Sequence, residues 1–263
     1  MTGRIRPWLT ASVAAVYLLL HLPVAILMAF SFNASRFSAA WTGFTLDWYR
    51  QLMDRDDLLR ATGRSLFVGV TATVLATVIG TLLALALARH RIRGRRGVEA
   101  LLYAPVVTPE VVAGVSLLML FAFLRIPLGL GTIVLAHATF SLPFVVIVLL
   151  ARLSGMDGSL EEAAMILGAD ELATFRRVTL PQLAPGVLAA ALLAFTLSFD
   201  DFVITSLVAG PGSSTLPMMV YSMVRRNVDP TVNAISAIIV VVTTALVLGA
   251  ERLARPERAE PAR

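Results

Sequence analysis

The sequence predicts an all-α integral membrane protein with six spanning helices. Composition is the first ground. Of 263 residues, 57 % are apolar and only 15 % are charged, where soluble domains carry about 25 % charged residues. The mean hydropathy is +0.81. Distribution is the second ground. The apolar residues gather into runs at 9–31, 65–88, 100–124, 128–151, 186–209 and 232–250, each near the ~20 residues that a hydrocarbon core of ~30 Å demands. The third ground is charge placement. With the N-terminus inside, 14 of the 22 basic residues fall on the inner side and 8 on the outer, the bias expected of cytoplasmic loops. Both termini are therefore expected in the cytoplasm.

Each element has a local reason. Arg4 and Arg6 precede the first run as they would in a signal peptide. That run is too long for a signal core and no small-residue cleavage site follows, so it reads as an uncleaved span with a kink at Pro23. A polar outer segment over 32–62 has room for a short helix. Pro105 and Pro109 interrupt the start of the third run. Thr108 as N-cap, Pro109 at the first helical position and Glu110 on the helix dipole make a helix start there. Arg125–Leu128, with Pro127, leaves a tight hairpin between the third and fourth spans. Residues 211–228, broken by Pro217, are too short to cross. They read as a re-entrant or surface-lying segment, or as a plain connection. Asp229 and Pro230 read as the cap and first residue of the sixth span. The membrane-spanning body is thus 1–253. The tail 254–263, rich in Arg, Glu, Ala and Pro, is expected to be disordered and cytoplasmic.

Absent residue types exclude whole chemistries. Every basic residue is Arg. Without Lys there is no Walker A loop and no Schiff base. Without Cys there are no disulfides, thiolate metal sites or Cys nucleophiles. His21, His90 and His137 lack ligand spacing, so no metal site is expected. The pI of about 10.6 fits inner-side Arg better than a nucleic-acid partner, and the cluster from Arg89 to Arg96 reads as a topology anchor. Ser116, preceded by Gly114, and His137 could evoke an intramembrane protease. Leu118 stands where a second Gly would be needed, and a buried, satisfied His137 is the better reading. No catalytic residue is assigned.

The inner loop between the fourth and fifth spans carries the most specific pattern. Ser159 and Glu162 have capping-box spacing, and Glu161 and Glu162 sit where the dipole favours acids. Leu160 to Leu167 form a short helix that Gly168 can end in a left-handed turn. Asp170 caps a second short helix, ending before Pro181. Ala163 and Ala164 leave a smooth patch, and Met165, Ile166 and Leu167 offer apolar anchors. Read from local physics alone, this is either a docking surface or an ordinary connector packed on its own bundle.

Glu162-Ala163-Ala164, three residues, Gly168, nine residues and Val178-x-Leu180-Pro181 resemble the EAA loop of permeases in ATP-binding-cassette importers. Val178 in place of Ile is the one departure. The stretches 197–204, 210–212, 215–218, 221–225 and 230–234 resemble the spermidine/putrescine branch, nearest to the second permease of a putrescine-type importer. The resemblance implies a type I importer permease fold with a cytoplasmic coupling helix, in a bacterial inner membrane. It implies ATPase coupling through Glu161, Glu162, Ala163, Ala164, Met165, Gly168, Leu180 and Pro181. It further implies a second permease subunit, two ATP-binding subunits holding ATP and Mg, and an extracytoplasmic solute-binding protein. No cofactor is then expected on this chain, and its other contact is membrane lipid.

Asp200 and Asp201 fall within the fifth apolar run. An ionisable group at that depth costs at least ~2.5–3.5 kcal/mol unless it faces protein or water. Ser198, Asp201 and Thr205 share i, i+3, i+7 spacing and form one polar stripe, with Thr196 and Asp200 on another. Such acids suit the path of a polycation, and either Asp is a candidate. The alternative is a structural pair that ties the span to a neighbour or caps a helix break. An ion-coupled secondary transporter would use the same acids but would not need the coupling loop.

Overall fold

The computed structural model describes residues 7–36, 40–90, 93–226 and 230–254, and every regular element among them is helical. The chain divides into two compact units, one of Met1–Leu59 with Val220–Thr244 and the other of Arg60–Met219 with Ala245–Arg263. The expected Asp229 cap, Arg4, Arg6 and most of the tail lie outside the described residues.

In the first unit, helix α1 spans Pro7–Phe30 and keeps Pro23 inside one continuous helix. Its apolar side chains are open all round, Leu18 at 71 % and Leu19 at 72 % exposure. A helix apolar on every side needs lipid or another helix around it. The polar segment that follows is ordered around Asn33. Its Nδ2 donates to Ala40 O at 2.7 Å and its Oδ1 accepts from Thr42 N at 2.9 Å. Its carbonyl accepts from the Trp48 indole at 2.7 Å. Trp48 belongs to the expected short helix, α2 (Asp47–Met53).

The second unit is a helical bundle. It holds α3 (Asp56–Arg89, from Arg60 onward), α4 (Arg95–Val107), α5 (Glu110–Phe123) and α6 (Leu130–Ser154). Three short pieces follow: α7 (Ser159–Ile166), α8 (Glu171–Thr174) and a π turn (Phe175–Thr179). The π turn leads into α9 (Leu180–Phe199) and α10 (Val203–Val208). Helix α11 (Leu216–Arg226) begins in this unit and continues in the first, and α12 (Thr231–Ala254) belongs to the first as far as Thr244. One core gathers Ala84 and Leu87 of α3, Leu102 of α4, Val145 and Leu149 of α6 and Leu183 and Ala190 of α9. The other joins Val68 of α3, Phe121 of α5, Ile133 of α6 and Ile204 and Val208 of α10. Helices α3 and α6 contribute to both cores.

Among the described residues, α1, α3, α6 and the stretch Glu171–Phe199 are long and apolar enough to cross a membrane. Two expected spans are not single helices. The third is α4 and α5, bent by 116°. Thr108 is extended, at φ −84° and ψ 134°, because a residue before Pro is pushed out of the helical region. The cap of α5 is therefore Pro109, not Thr108, whose hydroxyl turns back to Ala104 O at 2.6 Å. The fifth expected span ends at Phe199 and resumes as α10 after Asp200–Phe202. The expected sixth span corresponds to α12, whose apolar stretch is the shorter Thr231–Ala245.

Candidate functional site

The loop between α6 and α9 begins with a correction. Ser159 and Glu162 form no capping box: the cap of α7 is Gly158, without a side-chain bond. Asp157, one residue earlier, accepts the Ser159 amide at 2.9 Å instead. That amide and the Ser159 hydroxyl hold the Asp157 carboxyl below its usual value. At its other end α7 closes as expected. Gly168 has φ +89°. The Ala169 amide donates to Ala164 O and the Gly168 amide to Met165 O, each at 3.0 Å, the paired bonds of a Schellman motif.

Asp170 caps α8, its Oδ1 accepting from the Ala173 amide at 2.6 Å. The second helix does not end before Pro181. It runs through the π turn into α9, with the Leu180 amide donating to Phe175 O. Pro181 has no amide to donate and its ring disfavours the carbonyl four residues back. A wider turn removes that conflict.

Helix α7 buries no residue. Glu162, Ala163 and Gly168 are exposed and Ala164 is half-buried. Leu180 and Pro181 are exposed as well. Met165 is 47 % exposed, Ile166 85 % and Leu167 88 %. Three apolar side chains turned outward on a helix that packs none inward leave an open apolar patch at this end of the bundle. Glu161 is different. It turns back into the bundle, where its Oε1 accepts from the Arg89 guanidinium and from the Thr179 hydroxyl, the latter at 2.6 Å. In the sequence, Arg89 stands out only as part of the topology cluster. Its position at the end of a span was the one sign of another role.

The second group lies at the break between α9 and α10. The structure brings Ser198, Asp201 and Thr205 together, and the centre of the group is His137 of α6. His137 Nδ1 lies 2.7 Å from Ser198 Oγ, and Nε2 lies 3.0 Å from Asp201 Oδ2 and 2.9 Å from Thr205 Oγ1. Asp201 Oδ2 also accepts from the Thr205 amide and hydroxyl, both at 2.7 Å, and Oδ1 from the Ile204 amide at 3.2 Å. Asp201 thereby holds the first turn of α10. With the imidazole proton on Nε2 and the Ser198 hydroxyl donating to Nδ1, every member has a partner. All four are buried.

Asp200 stands apart. It is exposed, as is Thr196 one turn earlier. The two adjacent acids thus have opposite circumstances: Asp201 is committed to holding three elements together, and Asp200 is open.

Residues 76–256 match the family described as binding-protein-dependent transport system inner membrane component. The spermidine/putrescine transport system permease protein PotC of Escherichia coli K12 is 44 % identical over 241 residues, covering 92 % of this chain and 91 % of that protein. The putrescine transport system permease protein PotI of the same organism is 41 % identical over 240 residues, covering 89 % and 85 %. A chain of a bacterial transporter that imports the acidic polysaccharide alginate has the same fold, with a TM-score of 0.73 at 18 % identity over 94 % of this chain and 97 % of that one.

Proposed function

Because the chain belongs to the family of binding-protein-dependent transport inner membrane components, we propose that it works as one half of a polyamine import pathway and is driven through α7. It is a permease subunit of the spermidine/putrescine importer type and not itself an enzyme. The observation that carries this is its close relation, over nearly the whole chain, to permeases of that type.

In this reading the chain sits in an inner membrane with both termini in the cytoplasm. It pairs with a second, different permease subunit. Two ATP-binding subunits supply hydrolysis and hold ATP and Mg, and an external binding protein delivers the solute. The exposed face of α7, with Met165, Ile166 and Leu167 beside the Glu162-Ala163-Ala164 patch, inserts into a cleft of the ATPase. Closure of the ATPases on ATP displaces α7, and the bundle rocks from inward-open to outward-open. The binding protein then releases its cation into the opening, and hydrolysis resets the bundle toward the cytoplasm.

On the solute path, exposure separates the candidates. Asp200 is free to meet a cation. Ser198, Asp201 and Thr205 keep the helix break in shape around it, by way of His137.

ATP hydrolysis by the reconstituted complex tests this reading, measured with the cognate binding protein and putrescine, spermidine or a non-amine solute. Stimulation by a polyamine, lost on Gly168→Asp, is the expected result. Stimulation by the non-amine alone would remove the polyamine. Transport that persists without any ATPase subunit would remove the coupling role of α7.

A further inference from the structure

We propose that Arg89 is a positioning residue of the transport cycle, a latch that fastens α7 to the end of α3 and so delivers any displacement of α7 to α3 and α9 at a single point. This rests on the reading of α7 as the surface gripped by the ATPase.

The latch is a closed triangle. The Arg89 guanidinium, on the last residue of α3, donates to Glu161 Oε1 in the first turn of α7. The same Nη2 donates to Thr179 Oγ1 at 3.1 Å, in the π turn that opens α9. The Thr179 hydroxyl donates to Glu161 Oε1 at 2.6 Å, which closes the figure. Thr179 is fully buried, and the side chains of Arg89 and Glu161 are 34 % and 20 % exposed. Three elements meet through three side chains, each bonded to the other two.

The surroundings make this junction mechanically important. An eight-residue helix with no buried residue is not held in place by packing. Its caps fix its own ends and not its position on the bundle. The triangle supplies an attachment, and it does so beside α9, where Arg152 of α6 also donates to Gln182 O at 2.9 Å.

Helix α3 is fastened at its opposite end too. Ser65 Oγ accepts from the Leu216 amide at 2.8 Å, and Arg64 donates to Ser214 O at 3.4 Å. From Ser65 to Arg89 a continuous helix rises about 36 Å at ~1.5 Å per residue. Between the two fastenings it is packed closely: a Cβ on Gly80 would stand 2.6 Å from Val145 of α6. Helix α3 is thus a rod tied to the coupling loop at one end and to the segment entering α11 at the other.

The test uses the complete complex in proteoliposomes with its ATPase and binding protein. The readout is solute taken up per ATP hydrolysed, with ATPase co-purification measured in parallel. Arg89→Glu and Glu161→Arg each place like charges in the triangle. Each is expected to lower uptake per ATP about tenfold, the scale of coupling between contacting side chains. The double exchange Arg89→Glu with Glu161→Arg should recover part of the loss, held back because both exchanged charges oppose their helix dipoles. Thr179→Val should give a smaller loss in the same direction. Where a charge reversal prevents recovery of the complex, Arg89→Gln replaces it and the same loss is expected. Normal uptake per ATP in Arg89→Gln and Thr179→Val overturns the latch. So does a double exchange no better than the worse single variant. Met165→Asp separates this from the underlying reading. Release of the ATPase by Met165→Asp, alongside a normal Arg89→Gln, removes the latch alone. Retained ATPase and normal uptake in Met165→Asp remove the coupling surface itself.

Discussion

The neighbouring acids at the α9–α10 break show how little adjacency says about role. Asp201 accepts from two amides and the Thr205 hydroxyl and faces His137, so its removal strands several buried donors at once. Each stranded donor costs roughly 1–3 kcal/mol. Asp201→Ala should therefore reduce the amount of assembled complex, measured by thermal melting in detergent. Asp200→Asn should leave assembly intact and lower polyamine uptake, measured as initial rate. Equal melting losses in both would erase the distinction drawn from exposure. At the membrane surface, Asp157 gives a signed prediction with pH. Its carboxyl is held below the usual value in the folded chain, so the hold on the Ser159 amide is fully present above about pH 4 and fades as pH falls through the lowered value. The protection of the Ser159 amide, taken relative to its intrinsic exchange rate at each pH, should fall on acidification, and Asp157→Ala should show the lower protection already at neutral pH. The sequence marked the acids within an apolar run and the spacing of Ser198, Asp201 and Thr205. It could not show His137 at their centre, because that residue comes from a helix 61 residues earlier.

Among elements, the least legible features were the interruptions. Six apolar runs were plain in the sequence, but hydropathy does not register a change of direction. The bend at Thr108 was foreshadowed by Pro109; its angle was not. The break at Asp200 had no Pro or Gly to announce it and depends on Asp201 drawing the amides of α10 to itself. The π turn has a visible cause in Pro181. Pro181→Ala restores an amide that can donate to the residue four back, so the turn should tighten toward a regular helix. One residue's difference in register rotates a helix by about 100°, which would turn the exposed face of α7 relative to α9, away from the orientation that the proposed coupling uses. Uptake is expected to fall while thermal stability is kept or gains. Two close approaches rank in a predictable order. A Cβ on Gly80 meets Val145 Cγ1 at 2.6 Å, a side chain that can turn; one on Gly210 meets the Leu128 carbonyl oxygen at 1.9 Å, which cannot. Gly80→Ala should cost about 1–3 kcal/mol, the usual range for overpacking, and Gly210→Ala should cost more, read from melting midpoints.

At the scale of the whole molecule, composition and charge placement were enough to place the chain in a bilayer, and the spacing around Glu162 and Gly168 pointed to a subunit driven by another protein. What they could not give was the division of labour along α7, where Glu161 faces the bundle while its neighbour Glu162 faces outward. A one-dimensional pattern lists residues in order and does not say which side of a short helix is free.

The broken helices also bear on how the chain is made. At ~1.5 Å per residue, α5 is about 21 Å long and α10 about 9 Å, both short of a ~30 Å hydrocarbon core. Neither can leave the insertion machinery as a stable span by itself. Helix α5 must wait for α6, arriving as a hairpin through the turn at Arg125, where the Ile126 amide donates back to Phe121 O at 2.9 Å. Helix α10 must find α6 already seated, because its hold there is Val208 O on the Thr132 hydroxyl at 2.8 Å and Thr205 on His137. Synthesis from the N-terminus supplies α6 first. Helix α10 therefore reaches the membrane after both of the helices that it packs against, α5 and α6, have been made.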